Sequence, residues 1–503
     1  MATLAIVMKK NQPHILLINP YIYDFAAYDL WSKPLGLLYI AAVLEENGFR
    51  VSLIDALDRH DTEMLAWQGR ASAKSRMYGD GYFYREIVEK PTVFSHIPRH
   101  YARYGFTPEL MRKKISDLNL EQSVDSVLVT SGMTYWYKGV HEIIAMCKEL
   151  VPQAEVILGG IYATLFTNYA MEFSGADRVF TGESEKTVLA YLCSQSGLEV
   201  KKNYKGYDDY PYPAYHLYSK LEYVAMMTSR GCPYSCTFCA THAFTEKFTP
   251  RSPEGALHEI INYANQDIQN ITFYDDALFV NSDKHIKRIL RGVIENGKNV
   301  NFHTPNGLFA RLIDAELAKL LVQSGFKTIR LSYETKNPER QKVLRKVSDK
   351  DLESALEYLE QAGFLRHDIV VYLIMGLPDQ SPDEVQAGID YIHSLGAKVS
   401  LSSFSPIPGT ADWEMARQKY NFPVNEPLLT NKSVYPLRHP GFTSEDFDGL
   451  KNYAVEKNRS YPKDNPTLDE NHVSDYNVYA QSRRTIFVFF IDFSAGSKSS
   501  EAD

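Results

Sequence analysis

Three of the five cysteines in this 503-residue chain lie close together, at Cys232, Cys236 and Cys239. Thiolates with this C-x3-C-x2-C spacing repel one another unless they share a metal centre. Structural zinc sites are closed by four ligands, whereas three thiolates suit a [4Fe–4S] cluster whose fourth iron is free to bind another molecule. The spacing therefore predicts an iron–sulfur cluster with one open position.

Two other interpretations of these cysteines remain open. A structural zinc site would need a fourth ligand, for which His242 is the near candidate, and the chain would then be a metal-binding interaction protein. Inert buried cysteines would show no reason to cluster in this way.

The cysteine stretch resembles the signature of the radical SAM superfamily in its spacing, in Phe238 before the last cysteine, and in the apolar strand pattern before it. The resemblance implies that Cys232, Cys236 and Cys239 hold the cluster. It also implies that the open iron binds S-adenosylmethionine (SAM), which is cleaved to methionine and a 5′-deoxyadenosyl radical. An electron donor such as flavodoxin or ferredoxin is the implied partner.

Residues 223–415 alternate between strand and helix patterns, which predicts a partial (β/α)6 barrel. Ligand residues of such barrels gather at the carboxyl ends of the strands. The superfamily resemblance implies SAM contacts there, and a carboxylate suits the SAM ammonium. The implied cofactor-binding residues are Tyr274, Asp275 and Asp276 after strand 2, Ser332 and Glu334 on strand 4, and Gly376 after strand 5. Asn306, Arg330 and Tyr372 are expected to point into the barrel toward SAM or substrate, and no catalytic residue is identified.

Residues 12–195 also alternate between strands and helices and predict an α/β, flavodoxin-like doubly wound domain. This stretch resembles the cobalamin-binding domain that precedes many radical SAM domains. The resemblance implies cobalamin as a cofactor, bound at the carboxyl ends of the strands. The implied contacts are Thr130, Ser131, Gly132, Gly159, Gly160, Gly182 and Glu183, with Tyr135, Trp136 and Tyr137 as aromatic neighbours of the corrin.

The cobalamin resemblance has one departure, because the loop at 20–33 lacks the histidine that binds the lower face of the corrin in many such domains. His60 follows the second strand instead and is expected to be a surface or loop residue. An insertion at about 60–122, rich in Arg, Lys and Tyr, interrupts this domain; a solvated surface or a contact with the second domain is expected of it in preference to a nucleic-acid patch. Residues 196–222 form a linker. Residues 416–503 form a carboxyl-terminal extension, with a short helix at 450–457, an apolar run at 486–491 that closes the barrel, and a disordered end.

The composition is that of a globular chain, with 44% hydrophobic and 23% charged residues and a net charge of −8. This charge gives no support for nucleic acid as a partner. The chain shows neither a signal peptide nor a membrane-spanning run, and an iron–sulfur cluster suits a reducing cytoplasm.

The resemblances together predict a cobalamin-dependent radical SAM methyltransferase that acts on an unactivated carbon of an unknown small molecule or peptide. A radical SAM enzyme with non-methylating chemistry, or one whose first domain binds no cobalamin, is the alternative within the superfamily.

Overall fold

The computed structural model describes residues 12–245, 247–344 and 346–461. Its amino-terminal half contains eight strands and seven helices. The strands are β1 (His14–Asn19), β2 (Ile22–Asp24), β3 (Arg50–Asp55), β4 (Arg85–Val88), β5 (Tyr101–Tyr104), β6 (Ser126–Val129), β7 (Glu155–Leu158) and β8 (Arg178–Val179). The helices are α1 (Leu35–Glu46), α2 (Thr62–Trp67), α3 (Pro108–Glu121), α4 (Tyr137–Leu150), α5 (Ile161–Leu165), α6 (Thr167–Phe173) and α7 (Glu185–Ser196).

The main sheet of this half is parallel, with the strand order β3-β1-β6-β7-β8. The inner strand β1 is buried along its whole length, as expected for a strand covered by helices on both faces. The strand order reverses at β1, which creates the crevice where doubly wound domains bind ligands. The flavodoxin-like prediction is confirmed.

The insertion between β3 and β6 forms a small antiparallel sheet of order β2-β5-β4. One of its strands, β2, comes from the segment directly after β1. Arg59, at the start of the insertion, donates to Asp29 at 2.6 Å, and both side chains are nearly inaccessible to solvent. The insertion is therefore a packed part of the domain and organises the loop that follows β1.

The second half contains nine strands and eight helices. The strands are β9 (Tyr223–Met226), β10 (Ser229–Arg230), β11 (Thr249–Pro250), β12 (Asn270–Phe273), β13 (Asn301–His303), β14 (Leu308–Phe309), β15 (Arg330–Glu334), β16 (Val370–Met375) and β17 (Lys398–Ser403). The helices are α8 (Pro253–Ala264), α9 (Ile286–Glu295), α10 (Ala315–Ser324), α11 (Pro338–Leu344), α12 (Asp349–Ala362), α13 (Pro382–Ser394), α14 (Ala411–Lys419) and α15 (Ser444–Arg459).

Six long parallel strands of this half follow one another in chain order: β9, β12 and β13 in one ladder, and β15, β16 and β17 in the next. The short strand β14 pairs with β15, and Phe302 forms a parallel bridge with Phe326 between the two ladders. Helices pack on the outer face around a large apolar core. The partial barrel is confirmed, and α10 and α13 are helices that the sequence pattern did not reveal.

The carboxyl-terminal extension carries a longer helix than the sequence predicts, because α15 begins at Ser444 rather than near 450. The Thr443 hydroxyl accepts from the Asp446 backbone N–H at 3.2 Å, and this cap explains the earlier start. The apolar run at 486–491 and the end of the chain lie outside the described residues. No helix in the described ranges is both long and apolar enough to cross a bilayer.

Gly139 tests how tightly α4 holds the loop after β1, because a Cβ at Gly139 would lie 2.1 Å from the Tyr21 carbonyl oxygen. Gly139→Ala must push the backbone of that loop away, at a cost of about 2 kcal/mol and a fall in Tm of about 5 °C. Gly36→Ala in α1 is the matched control, since nothing lies within 4 Å of its Cβ position. Thermal unfolding should show no fall for the control, and equal Tm values for the two variants would contradict the packing described.

Candidate functional site

The cysteine loop leaves the barrel at the carboxyl end of β9 and is closed at its base by the antiparallel pair β10 and β11. Gly231 has a φ of +75°, and a Cβ there would lie 2.9 Å from Thr245 Cγ2, so the turn into the loop requires glycine. Beyond it Cys232 is buried, Cys236 is half-buried and Cys239 is exposed. The loop thus presents its thiols at the mouth of the barrel.

The three thiols share one electrostatic environment. Burial raises the pKa of the Cys236 thiol to about 11, and the Lys346 ammonium opposes that rise. Cys232 and Cys239 also act on this thiol through their charges, so the sulfurs lie within electrostatic range of one another. Burial likewise raises the pKa of Cys232. A metal centre that binds thiolates must therefore displace protons here.

The donor set, three thiols with no fourth ligand beside them among the described residues, fits a cluster with one open iron better than a closed zinc site. Within the described ranges, no group of three or more His, Cys, Asp or Glu side chains forms a cage for one ion. A cluster does not require its cysteines to surround one ion, because each cysteine binds a different iron atom. His242, the candidate fourth zinc ligand, instead has its Nε2 3.0 Å from the Tyr234 carbonyl oxygen.

Two adjacent aspartates after β12 have different environments. Asp275 is buried and accepts from the Thr228 backbone N–H at 3.0 Å, from the Thr228 hydroxyl at 2.7 Å and from the Ser229 hydroxyl at 2.6 Å. Asp275 therefore holds the start of the cysteine loop. Asp276 is open to solvent and accepts no hydrogen bond from the described part of the chain. Desolvation of the carboxyl group by the protein packed beside it, together with the negative charge of Asp275, raises the pKa of Asp276 to about 6. Asp276 is the aspartate free to meet a cation.

Glu334 adopts a strained backbone at the end of β15, with a φ of +77°. The Thr335 N–H donates to the Tyr333 carbonyl at 3.1 Å, so Glu334 is the central residue of a three-residue turn. Such a conformation costs about 1–3 kcal/mol in a residue other than glycine and is typical of functional sites. The turn places the Glu334 carboxylate 2.5 Å from Lys346 Nζ and within electrostatic range of Cys236.

Ser332 lies on β15, and Gly376 directly follows the neighbouring strand β16. The Ser332 hydroxyl donates to the Leu308 carbonyl at 3.1 Å. Gly376 has a φ of +90°, and its N–H donates to Gln380 Oε1 at 2.7 Å. The ring of Tyr435 lies so close to Gly376 that a Cβ there would be 2.9 Å from Tyr435 Cε2. The carboxyl-terminal extension therefore covers this part of the mouth.

The loop after β1 enters the barrel and engages Tyr274. Trp31 is fully buried, its ring stacks on His303 with centroids 4.4 Å apart, and its indole N–H donates to the Tyr78 carbonyl at 3.0 Å. The Tyr274 hydroxyl donates to the Trp31 carbonyl and accepts from the Lys33 N–H. Tyr274 thus anchors this loop, and its contact with SAM stays a prediction.

The residues that the sequence suggests for cobalamin lie along the carboxyl edge of the main sheet. Gly160 has a φ of +94°, and a Cβ there would be 2.6 Å from the Ser131 carbonyl oxygen, so close approach of two loops already requires this glycine. Gly132, Gly159 and the exposed side chain of Ile161 leave an open, partly apolar surface beside them, which fits a large flat ligand. The residues suggested for cobalamin along this edge are Thr130, Ser131, Gly132, Gly159, Gly160, Gly182 and Glu183.

The aromatic residues after β6 are packed inside the domain. Tyr137 stacks on Tyr162 with centroids 5.6 Å apart, and the His141 ring lies 3.0 Å from the Tyr162 hydroxyl. The Trp136 indole donates to Asp24 at 2.9 Å. His60 lies in a loop, as expected, but it is not at the surface: it is 7% exposed and lies 3.3 Å from Glu222, just before the barrel.

A buried ion pair joins the cysteine loop to the amino-terminal domain. Arg230, two residues before Cys232, lies 2.7 Å from Glu185 at the start of α7, and their side chains are 11% and 8% exposed. The Arg230 guanidinium also lies over the Tyr207 ring of the linker. Glu183, one of the residues suggested for cobalamin, accepts from the Thr245 hydroxyl at 2.8 Å. The carboxyl edge of the main sheet and the cysteine loop are therefore held side by side.

The segment after the barrel also bridges the two halves, which the sequence did not indicate. Asn431 donates to Asp24 at 3.0 Å, the hydroxyls of Thr430 and Thr134 hydrogen-bond, and Leu428 packs into the core of the amino-terminal domain. These contacts follow no motif, so only the folded chain reveals them.

The comparisons with known proteins agree with this arrangement. Residues 226–392 match the family model of the Radical SAM superfamily. Cytidylyl-2-hydroxyethylphosphonate methyltransferase of Streptomyces wedmorensis is 24% identical over 466 residues, covering 79% of this chain and 80% of that protein. An uncharacterized methyltransferase of Pyrococcus horikoshii is 25% identical over 386 residues, covering 69% of this chain and 81% of that protein.

The fold is similar to that of a solved radical SAM methyltransferase, TsrM from Kitasatospora setae, whose structure holds cobalamin and a [4Fe–4S] cluster. The TM-score is 0.58 at 17% identity, with 81% of this chain and 78% of that chain covered. This likeness confirms the predicted fold, an α/β doubly wound domain followed by a partial (β/α)6 barrel.

Arg230→Met tests whether the ion pair with Glu185 (the brace) holds the cysteine loop in place. The variant leaves the Glu185 carboxylate buried without its counter-charge, so we expect a loss of about 3–5 kcal/mol together with poorer retention of iron. Arg288→Met is the matched control, because its pair with Glu254 is exposed, with side chains 51% and 68% accessible, and should contribute less than about 1 kcal/mol. Thermal unfolding and iron content are the measurements, and similar small effects in both variants would refute the brace.

Asp276→Asn should stabilise the cluster-free protein at neutral pH. The folded pKa of about 6 lies above the usual aspartate value, so ionisation of Asp276 destabilises the fold as pH rises from about 4 to 6, and the loss persists above pH 6. The gain from Asn should therefore be largest at pH 7–8 and absent below about pH 4. Asp275→Asn is the contrasting variant and should destabilise the protein, since it places an amide against three donors. Thermal unfolding against pH decides, and a pH-independent effect at Asp276 would contradict this account.

Proposed function

We propose, on the premise that this chain is a radical SAM enzyme, that it cleaves SAM with a [4Fe–4S] cluster and, with cobalamin, transfers a methyl group to an unactivated carbon. The observation that carries the proposal is the position of the cysteine loop. Arg230 and Thr245 hold that loop against Glu185 and Glu183, at the edge of the sheet where a doubly wound domain binds its ligand. Two cofactor sites therefore lie next to one barrel mouth.

The cluster, when bound, supplies the electron that cleaves SAM to methionine and a 5′-deoxyadenosyl radical, and cobalamin supplies the methyl group. Cys232, Cys236 and Cys239 would hold the cluster, and Lys346 provides a positive charge beside their thiolates. Asp276, with no hydrogen-bond donor from the described chain, is free to accept from the SAM ammonium.

The remaining residues of the mouth position SAM and exclude water. Ser332 and Glu334 lie on the strand that would meet the ribose and carboxylate of SAM, and the backbone at Gly376 would pack on the adenine. Tyr435 covers Gly376 and restricts access of solvent to that side. Enclosure matters because a carbon radical reacts with whatever is close, so fixed reactants are the main contribution of the protein.

The residues of the open sheet edge support cobalamin as the second cofactor. Thr130, Ser131, Gly132, Gly159, Gly160, Gly182 and Glu183 line that edge. The methyltransferase names of the two relatives support methyl transfer as the reaction. A flavodoxin- or ferredoxin-type protein would deliver electrons, and a reducing compartment such as the cytoplasm suits the cluster.

Anaerobic reconstitution with iron, sulfide, cobalamin, SAM and a reductant tests the reaction. We expect 5′-deoxyadenosine from radical formation and S-adenosylhomocysteine from remethylation of the cobalamin. Single Cys→Ala variants at 232, 236 and 239 should lose both products. Cys193→Ala is the matched control, because Cys193 is buried in the amino-terminal domain, away from the loop, and should keep both.

Each departure from that outcome has a distinct meaning. Deoxyadenosine without S-adenosylhomocysteine would replace methyl transfer by another radical reaction. Full activity in a Cys236→Ala variant, or zinc in place of iron, would overturn the proposal as a whole.

A further inference from the structure

The inner face of β15, β16 and β17 carries a group of hydrogen-bond donors. Successive side chains of a strand point to opposite faces of the sheet. Leu331, Val371 and Val399 point outward, into the core under the helices, so the residues next to them in the chain point into the barrel. The inward positions next to them include Arg330 on β15, and Lys398, Ser400 and Ser402 on β17. Tyr372 on β16 confirms the shared face, since Arg330 donates to its hydroxyl at 3.0 Å.

Arg330 and Lys398 differ from every other buried cation in the described ranges. Seven Lys or Arg residues there are 9% exposed or less, and five of them form ion pairs with carboxylates. Arg330 and Lys398, at 6% and 7% exposure, do not. The five pairs are Arg59–Asp29, Arg103–Glu86, Arg230–Glu185, Arg251–Glu259 and Lys287–Asp314.

Apart from the hydrogen bond between Arg330 and Tyr372, several polar atoms of this inner face lack partners in the described part of the chain. Arg330 Nε is buried with no hydrogen bond, and the Lys398 ammonium and the hydroxyls of Ser400 and Ser402 make none with the described residues. Buried cations are ordinarily paired with carboxylates, so two cations without such a partner, next to free hydroxyls, indicate a site built for an anion that is not part of the protein. The chain as a whole has a net charge of −8, so a local group of cations is not what its composition would produce on average.

The two cations can reach one ligand. Arg330 and Lys398 both pair in register with Val370 on the strand between them. Their backbones are therefore about 10 Å apart, within the span of two long side chains. Ser400 and Ser402 follow Lys398 on the same face toward the mouth. Arg330 begins the strand that ends at Glu334, which puts the cations about 13 Å below the SAM site.

We propose that the substrate carries an oxyanion, held inside the barrel by Arg330 and Lys398, with Ser400 and Ser402 donating to it or to the group attached to it. That the anion bound at this site belongs to the substrate rests on the proposed function. Phosphoryl, phosphonyl and carboxylate groups share the required chemistry of several acceptor oxygens and a negative charge. The carbon that reacts would extend from this anchor toward the cluster.

Thermal unfolding of the anaerobically purified protein tests the site without requiring turnover. The probes are phosphate, methylphosphonate and acetate at about 20 mM, against chloride at equal ionic strength. The variants are Arg330→Met and Lys398→Met, with Lys327→Met as the matched control because Lys327 is exposed beside the same strand. We expect at least one probe to raise the Tm of the wild type and of Lys327→Met by about 3 °C or more.

Two results are expected of the test variants. They should lose the response to the probe, and Lys398→Met should have a higher Tm than the wild type in chloride, because it removes an unpaired buried charge. Arg330→Lys, which keeps the charge, guards against misfolding of Arg330→Met and should retain part of the response. A response to acetate alone assigns a carboxylate, and a response to the phosphorus oxyanions assigns a phosphoryl or phosphonyl group.

No response in the wild type, or the same response in all variants, would overturn the inference. A response that depends on Arg330 and Lys398 in a protein that forms no deoxyadenosine would leave the anion site in place and refute the proposed reaction instead.

Discussion

The buried ion pair between Arg230 and Glu185 is the contact on which the site depends. Arg230 ends the short strand that leads into the cysteine loop, and Glu185 begins the helix after the last strand of the main sheet. Because both charges are removed from water, each needs the other, and neither domain can move away without leaving a charge buried and unpaired. Asp275 fixes the same loop from the barrel side through Thr228 and Ser229. The loop that would hold the cluster is therefore braced from both domains.

This bracing explains why chemistry with two cofactors is possible at one mouth. A radical formed from SAM must meet its substrate within a few ångströms, and a methyl donor must reach the same carbon. The loop after β1 enters the barrel through Trp31, and the segment around Thr430 and Asn431 returns from the barrel to the first domain. The barrel mouth is enclosed by chain from both directions. Within the barrel, Arg330 and Lys398 provide the charge that would orient a substrate toward that mouth.

The sequence predicts the architecture because strand–helix alternation leaves few topologies open, and it predicts the cluster because Cys232, Cys236 and Cys239 carry their spacing in the chain. It cannot separate Asp275 from Asp276, since adjacent residues of one type differ only in which partners the fold brings to them. The Arg230–Glu185 pair joins residues far apart in the chain, and the lack of a carboxylate from the described chain beside Arg330 and Lys398 is a property of the folded interior. The burial of Trp31 and His60 does not follow from the sequence for the same reason: their neighbours His303 and Glu222 lie far along the chain.

The metal and corrin content of the anaerobically purified protein tests the central claim most directly. We expect about four iron and four sulfide per chain, the broad visible absorption of a [4Fe–4S] cluster, and a corrin band that persists after gel filtration. The iron signal should vanish in a Cys236→Ala variant. Zinc in place of iron, or iron retained without Cys236, would contradict the assignment of the cysteine loop. A cluster spectrum with no corrin after reconstitution would contradict the role given to the amino-terminal domain.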